Sequence, residues 1–260
     1  MKSIFKTIPI LVSALVLTNC MPPQPDKKKT VTEKHNYIVL LDLSDRLIIQ
    51  NDQPERDKEL VSFLYDQFAE RVRKNLYIRS RDEFKVVIAP QRGSRIAYDE
   101  YEDRLYINMD NIPNMLRRKK EHERDSAFKS DLTTLYKKAV FSKNPKDYHG
   151  ADIWKYIYED LETDLVKDTL SKNYLFVVTD GYPVVGNETN KLLPVAKDFS
   201  DLTVILIEAA PRDKDLEWDR IVELWKEWFD QMKVTDYHFI KRNAISKEKD
   251  MIKDLIGTQK

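Results

Sequence analysis

Apolar residues gather in three short unbroken runs along the chain: Tyr37-Ile38-Val39-Leu40-Leu41, Tyr174-Leu175-Phe176-Val177-Val178 and Leu202-Thr203-Val204-Ile205-Leu206-Ile207. A strand that meets water on one face alternates apolar with polar positions, so runs of this kind predict strands covered on both faces. Phe84 to Ala89 and Tyr237 to Ile240 predict further strands, and Arg104 to Met109 an edge strand. Between them the period changes to that of a helix, with Leu60, Phe63, Leu64, Gln67, Phe68 and Val72 in one stripe and Ile153, Tyr156, Ile157 and Leu161 in another. The stretch from Leu216 to Met232 carries Trp218, Ile221, Leu224, Trp225, Trp228, Phe229 and Met232. Helical spacing assigns these to core packing rather than to an aromatic ligand box.

Residues Ile112 to Lys143 read as a charged helical element in which Arg117-Arg118-Lys119-Lys120 precede Glu121, Glu123 and Asp125. It is taken as a helical insertion over about 112–145, presenting either a solvated face or a docking surface. Strands that alternate with helices predict an α/β domain: a mainly parallel central sheet with helices on both faces.

The beginning of the chain follows a different pattern. A basic start (Lys2, Lys6) leads into an apolar stretch from Ile8 to Leu17 and then into Leu17-Thr18-Asn19-Cys20. A spanning helix needs roughly 20 apolar residues, which this stretch does not supply. The pattern is that of a lipoprotein signal peptide over residues 1–19, with Cys20 as the lipid attachment point, although Asn19 departs from the small residue usual before such a cysteine. Cys20 is the only cysteine, so no intramolecular disulfide can form. Residues 20–35, with Pro22, Pro23, Pro25 and Lys27-Lys28-Lys29, read as a lipidated tether, and 36–260 as the folded domain. The expected location is the cell envelope, with the protein anchored to a membrane by acyl chains, outer membrane or periplasm-facing in a Gram-negative bacterium.

Composition narrows the function classes. The chain has 44 basic and 44 acidic residues, and loss of Lys2 and Lys6 with the signal peptide leaves 42 basic ones, which gives no electrostatic case for nucleic acid. With 5 glycines, no GxGxxG and no P-loop can be written, and no G-x-S-x-G elbow occurs. His35, His122, His149 and His238 are too scattered for a recognisable zinc set.

The chemistry-bearing positions cluster at strand ends. Asp42 and Ser44 follow the first apolar run, Asp180 follows the second, and His149-Gly150-Ala151-Asp152 precedes a helical stripe. In an open α/β sheet, the loops after the carboxyl ends of the strands border the crevice where ligands bind. Asp and Ser in these places also serve as turn and cap residues.

At these residues the chain resembles a von Willebrand factor A domain, from Tyr37 to about Ile256, more in the order of its elements than in identity. That family's metal-ion-dependent adhesion site begins with Asp-x-Ser-x-Ser after the first strand; a second loop supplies a Thr and a fourth supplies an Asp, commonly as Thr-Asp-Gly. Asp42, Ser44 and Thr179-Asp180-Gly181 match, whereas Arg46 stands at the second serine and Ala151 at the threonine. The resemblance therefore implies a degenerate site, with no cofactor or a weakly bound Mg²⁺ held by Asp42, Ser44 and Asp180, and Asp152 as a further carboxylate. Arg46 and His149 are expected to serve binding, with the Arg46 guanidinium standing in for the cation. The implied function is a protein-binding or assembly module that meets an unidentified envelope protein and performs no catalysis. The competing expectation is a metal-dependent hydrolase that uses Asp42, Asp152 and Asp180.

Overall fold

The computed structural model describes residues 32–91, 97–143, 150–183, 197–209 and 214–257. Cys20 and His149 lie outside them. Six strands form one sheet: β1 (Lys34–Leu41), β2 (Glu83–Ile88), β3 (Tyr106–Asn108), β4 (Ser171–Val178), β5 (Leu202–Ala209) and β6 (Asp236–Lys241). Their order is β3-β2-β1-β4-β5-β6, which is the doubly wound arrangement. All neighbours are parallel except β3, which pairs antiparallel with β2 at the edge. The mainly parallel sheet predicted by the alternation of strands and helices is the one that forms.

The unbroken apolar runs are explained by two cores. Tyr37, Val39 and Leu41 of β1 face one, and Ile38 and Leu40 face the other, as the two-residue period of a strand requires. The first core is covered by α2 (Gln53–Lys74), α4 (Arg117–Phe141) and α8 (Ile245–Gly257). The second is covered by α5 (Ile153–Glu159) and α7 (Lys214–Gln231). Three short α-helices, α1 (Arg46–Ile49), α3 (Asp99–Arg104) and α6 (Leu161–Asp164), and two 3₁₀ turns, Met109–Asn111 and Asn114–Leu116, complete the described elements.

The charged stretch read as an insertion is integral to the first core. Phe128, Leu132, Leu135, Tyr136 and Ala139 of α4 are buried beside the Leu60, Leu64, Phe68 and Val72 stripe of α2, while Arg118, Lys119, Lys120 and Glu123 at its start stay in water and Glu121 is buried against Arg73. A large apolar side chain such as Phe128, Leu132 or Leu135 contributes about 1.5–3 kcal/mol when fully buried. The aromatic stripe of α7 packs as its spacing predicts, with Trp225, Trp228, Phe229 and Met232 buried and Trp228 stacked on Trp154 of α5 at 3.6 Å.

Candidate functional site at the carboxyl edge of the sheet

Because β1, β2, β4, β5 and β6 are parallel, their carboxyl ends share one edge. Leu41 of β1 lies opposite Val178 of β4, so Asp42 and Thr179 leave the sheet side by side, and the Asp42 amide still donates to the Val178 carbonyl at 3.0 Å. Asp180 comes next. Asp152 is brought to the same edge from β2, its amide donating to the Pro90 carbonyl at 2.8 Å. Four residues singled out in the sequence, Asp42, Ser44, Asp180 and Asp152, thus border one rim.

Their side chains have distinct local roles. Asp42 is 2% exposed; its Oδ1 accepts from the Ser44 amide at 2.9 Å, and its Oδ2 accepts from the Thr179 hydroxyl at 2.9 Å. Thr179 is fully buried and its Oγ1 in turn accepts from the Gly181 amide at 3.1 Å. That turn needs glycine, since Gly181 has φ 108°, a region closed to other L residues. The Gly181 carbonyl also receives the Trp225 indole N–H at 2.9 Å, which locks the loop to α7. Asp180 Oδ1 accepts from the Tyr182 amide at 3.2 Å. Asp152 caps α5, its Oδ1 accepting from the Lys155 amide at 2.8 Å.

Arg46 turns inward and is 3% exposed. Its Nε donates to the Asp42 carbonyl at 2.8 Å and lies 3.6 Å from the Asp42 carboxylate. The guanidinium gives its paired bonds to Asp57 of α2, at 2.5 and 3.3 Å, and reaches the Val178 carbonyl at 3.2 Å. The fork therefore engages Asp57, not Asp42 or Asp180 as a stand-in for a cation would. Asp57 is fully buried on α2, and the guanidinium meets both of its carboxylate oxygens. Burial opposes the charge on Arg46, but the Asp57 and Asp42 carboxylates raise its pKa above the ordinary value. Burial pushes the Asp57 carboxyl up, with Arg46 and the Gln53 amide acting against the rise.

From Asp57 the polar network continues along the edge. Tyr136 of α4 donates to Asp57 at 3.2 Å, and Gln53 Nε2 donates to Asp57 at 2.7 Å and to Glu208 at 3.2 Å. Glu208 occupies a bulge in β5 with φ 66°, a left-handed conformation costly for a residue with a side chain. Arg56 joins Glu208 to Glu248 of α8, the latter at 2.9 Å, and Arg242 after β6 lies 3.5 Å from Glu208. At the opposite end Lys143 is half-buried and 3.4 Å from Gln91 Oε1; burial lowers its pKa, and the Asp45 and Asp42 carboxylates pull it back up. Among the described residues, no three His, Cys, Asp or Glu side chains group as ligands for a metal ion.

No protein-family model matches this chain, and no curated protein matches it significantly. Among solved structures it is similar to an aerotolerance-related membrane protein from Bacteroides fragilis NCTC 9343 bearing multiple mutations to serines, at 13% identity over 87% of this chain and 100% of that one, with a TM-score of 0.42. The conserved hypothetical protein BatB from Bacteroides thetaiotaomicron is 14% identical over 87% of this chain and 100% of its own, with a TM-score of 0.38. Proximal thread matrix protein 1 from the mussel byssus is 16% identical, with 87% of this chain and 48% of that one covered and a TM-score of 0.41. The chain spans about half the length of the mussel protein.

The sequence names Thr179 only within the Thr179-Asp180-Gly181 match and does not single out Asp57, Gln53 or Arg56. Thr179 was grouped with Asp180, yet it is Thr179 that bonds Asp42. Its position directly after an apolar run, where its backbone is still held by the Ile207 carbonyl at 3.1 Å, was the available signal for an inward side chain. Asp57 and Gln53 lie on the buried side of α2, where a polar residue inside an apolar helical stripe is the pattern that marks them, and Arg56 is partly buried beside them.

Proposed function

We propose that this chain is a lipid-anchored cell-envelope protein whose von Willebrand A-like domain binds or assembles with another envelope protein through the carboxyl edge of its sheet, without a divalent cation. The observation that carries the cation-free reading is the buried Arg46 guanidinium, fixed on Asp57 and 3.6 Å from Asp42. Mg²⁺ needs oxygen ligands at near-octahedral positions and keeps several waters. Here Asp42 is buried, both of its carboxylate oxygens accept internal hydrogen bonds, and a fixed positive charge already lies beside it. The residues at Asp42 do not fit the ion.

Support for the anchor comes from the first twenty residues: a basic start, a short apolar stretch and a lone cysteine. No helix among the described residues is long and apolar enough to cross a membrane. Expressed in a bacterium that processes lipoproteins, the wild type should sediment with membranes and Cys20→Ser should move to the soluble fraction. A wild type that is soluble, or an unmodified Cys20 thiol in the membrane-bound form, would refute the anchor. Affinity capture from detergent-solubilised envelope should recover the same partner with and without chelator; recovery that requires Mg²⁺ would refute the cation-free edge.

A further inference from the structure

The opposite edge of the sheet, where the parallel strands begin, is where the tether enters the domain. Thr32, two residues before β1, donates through its hydroxyl to the Arg79 carbonyl, in the turn between α2 and β2. That turn and the segment before α4 expose large apolar side chains together: Leu76 and Ile78 are 56% and 57% exposed, and Met115 and Leu116 are 96% and 44% exposed. The two segments are tied by Arg117, whose guanidinium donates to the carbonyls of Tyr77, Ile78 and Ser80 at 3.2, 3.1 and 2.7 Å and whose Nε reaches the Ile112 carbonyl at 2.9 Å.

Two features set this patch apart from ordinary surface. Leu76 follows the C-cap of α2 with φ 52°, where glycine is favoured because a side chain is strained there. The chain thus holds an apolar side chain outward against both its backbone preference and its burial preference. Exposed basic residues flank the patch: Arg79 in the same turn, and Arg118, Lys119 and Lys120 on the first turn of α4, the two lysines sharing Glu123. Apolar side chains rimmed by cations match the chemistry of a bilayer surface, where apolar groups enter the acyl boundary and lysines and arginines meet anionic headgroups.

We infer that Leu76, Ile78, Met115 and Leu116 rest on an anionic bilayer surface, so that the domain sits on the membrane by its amino-terminal sheet edge and presents the Arg46 edge away from it. The inference rests on the lipid anchor at Cys20 and deepens it. Eleven residues lie between Cys20 and Thr32, a span of at most about 40 Å, so the anchor keeps this edge within that distance of the bilayer. An eight-residue strand such as β1 spans about 26 Å, which lifts the carboxyl edge clear of the surface.

The test uses the full lipidated chain in vesicles of phosphatidylethanolamine and phosphatidylglycerol. Cys20 being the only cysteine and acylated, Met115→Cys and Ile49→Cys each offer a single reactive thiol for an environment-sensitive fluorophore, one in the patch and one on α1 at the opposite edge. After flotation with the vesicles, nitroxide-bearing lipid should quench the label at position 115 several-fold more than the label at position 49. Replacing phosphatidylglycerol with phosphatidylcholine should weaken that quenching. Equal quenching of both labels, or none at either, in protein that floats would overturn the orientation while leaving the anchor intact. Failure of the wild type to float would overturn both. A blue-shifted label at position 115 that persists in detergent and disappears on dilution would assign the patch to a second copy of the chain and overturn the membrane contact.

Discussion

Removal of the Arg46 guanidinium gives the sharpest perturbation of the carboxyl edge. Arg46→Met keeps the stem and deletes bonds to Asp57, to the Val178 carbonyl and to the Asp42 carbonyl. It leaves Asp57, with no exposed surface, without its counterion. Breaking a buried pair from one side costs about 3–5 kcal/mol. In a domain of this size each kcal/mol moves Tm by about 2–4 °C, so the variant should melt about 6–20 °C lower. Asp57→Leu in the Arg46→Met background removes the stranded charge and should recover at least ~2 kcal/mol, less what Gln53 and Tyr136 lose as donors.

The pH dependence of the single variant follows from the same geometry. Without Arg46 the Asp57 carboxyl, already raised by burial, rises further. The folded state then binds a proton that the unfolded state releases, so stability increases as pH falls from neutral into the mildly acidic range, and the gap to the wild type narrows. Urea unfolding monitored by circular dichroism across pH measures each quantity. A loss under about 1 kcal/mol for Arg46→Met, or a double variant that is simply additive, would show that the pair is no more than an ordinary surface contact.

Two further outcomes test other parts of the edge. Thr179→Val leaves the buried Asp42 Oδ2 without its donor and should cost about 1–3 kcal/mol in urea unfolding, while Thr179→Ser should lose under about 1 kcal/mol; a larger loss for Thr179→Ser than for Thr179→Val would mean that the methyl packing, not the hydroxyl, matters. Glu248 is pushed up to about 7 by burial and by the Glu208 carboxylate, with the Asn243 amide acting against the rise. Because its folded pKa lies above the unfolded one, its stabilising contribution is complete in acid and is lost as pH rises through about 7. Glu248→Gln should remove that slope, and an unchanged slope would place the titration elsewhere.

The strands were legible where burial on both faces wrote a continuous apolar run, as in β1, β4 and β5. β6 was a weaker reading because most of its residues are only partly buried, and the antiparallel direction of β3 left no mark in its three residues. The rim position of Asp42 and Asp180 was readable, since a residue directly after a parallel strand must lie at the shared carboxyl edge. The partners were not. Asp57 stands eleven residues beyond Arg46 inside a helix, and nothing local pairs them. Glu208 reaches Gln53 and Arg56 across more than 150 positions, through a bulge whose positive φ the residue type argues against. A solvated reading suited Arg118, Lys119, Lys120 and Glu123 at the start of α4 but not Arg117 or Glu121, which are buried, and the buried stripe over its second half comes from tertiary packing on α2.

The central claim is that Arg46 and Asp57 hold the Asp42 loop in place without a divalent ion. Thermal unfolding of the wild type in chelator and in millimolar Mg²⁺ tests it directly, because any ion that binds the folded state alone raises Tm by mass action. Superimposable transitions are expected. A clear rise in Tm with Mg²⁺ that disappears in Asp42→Ala would contradict the claim.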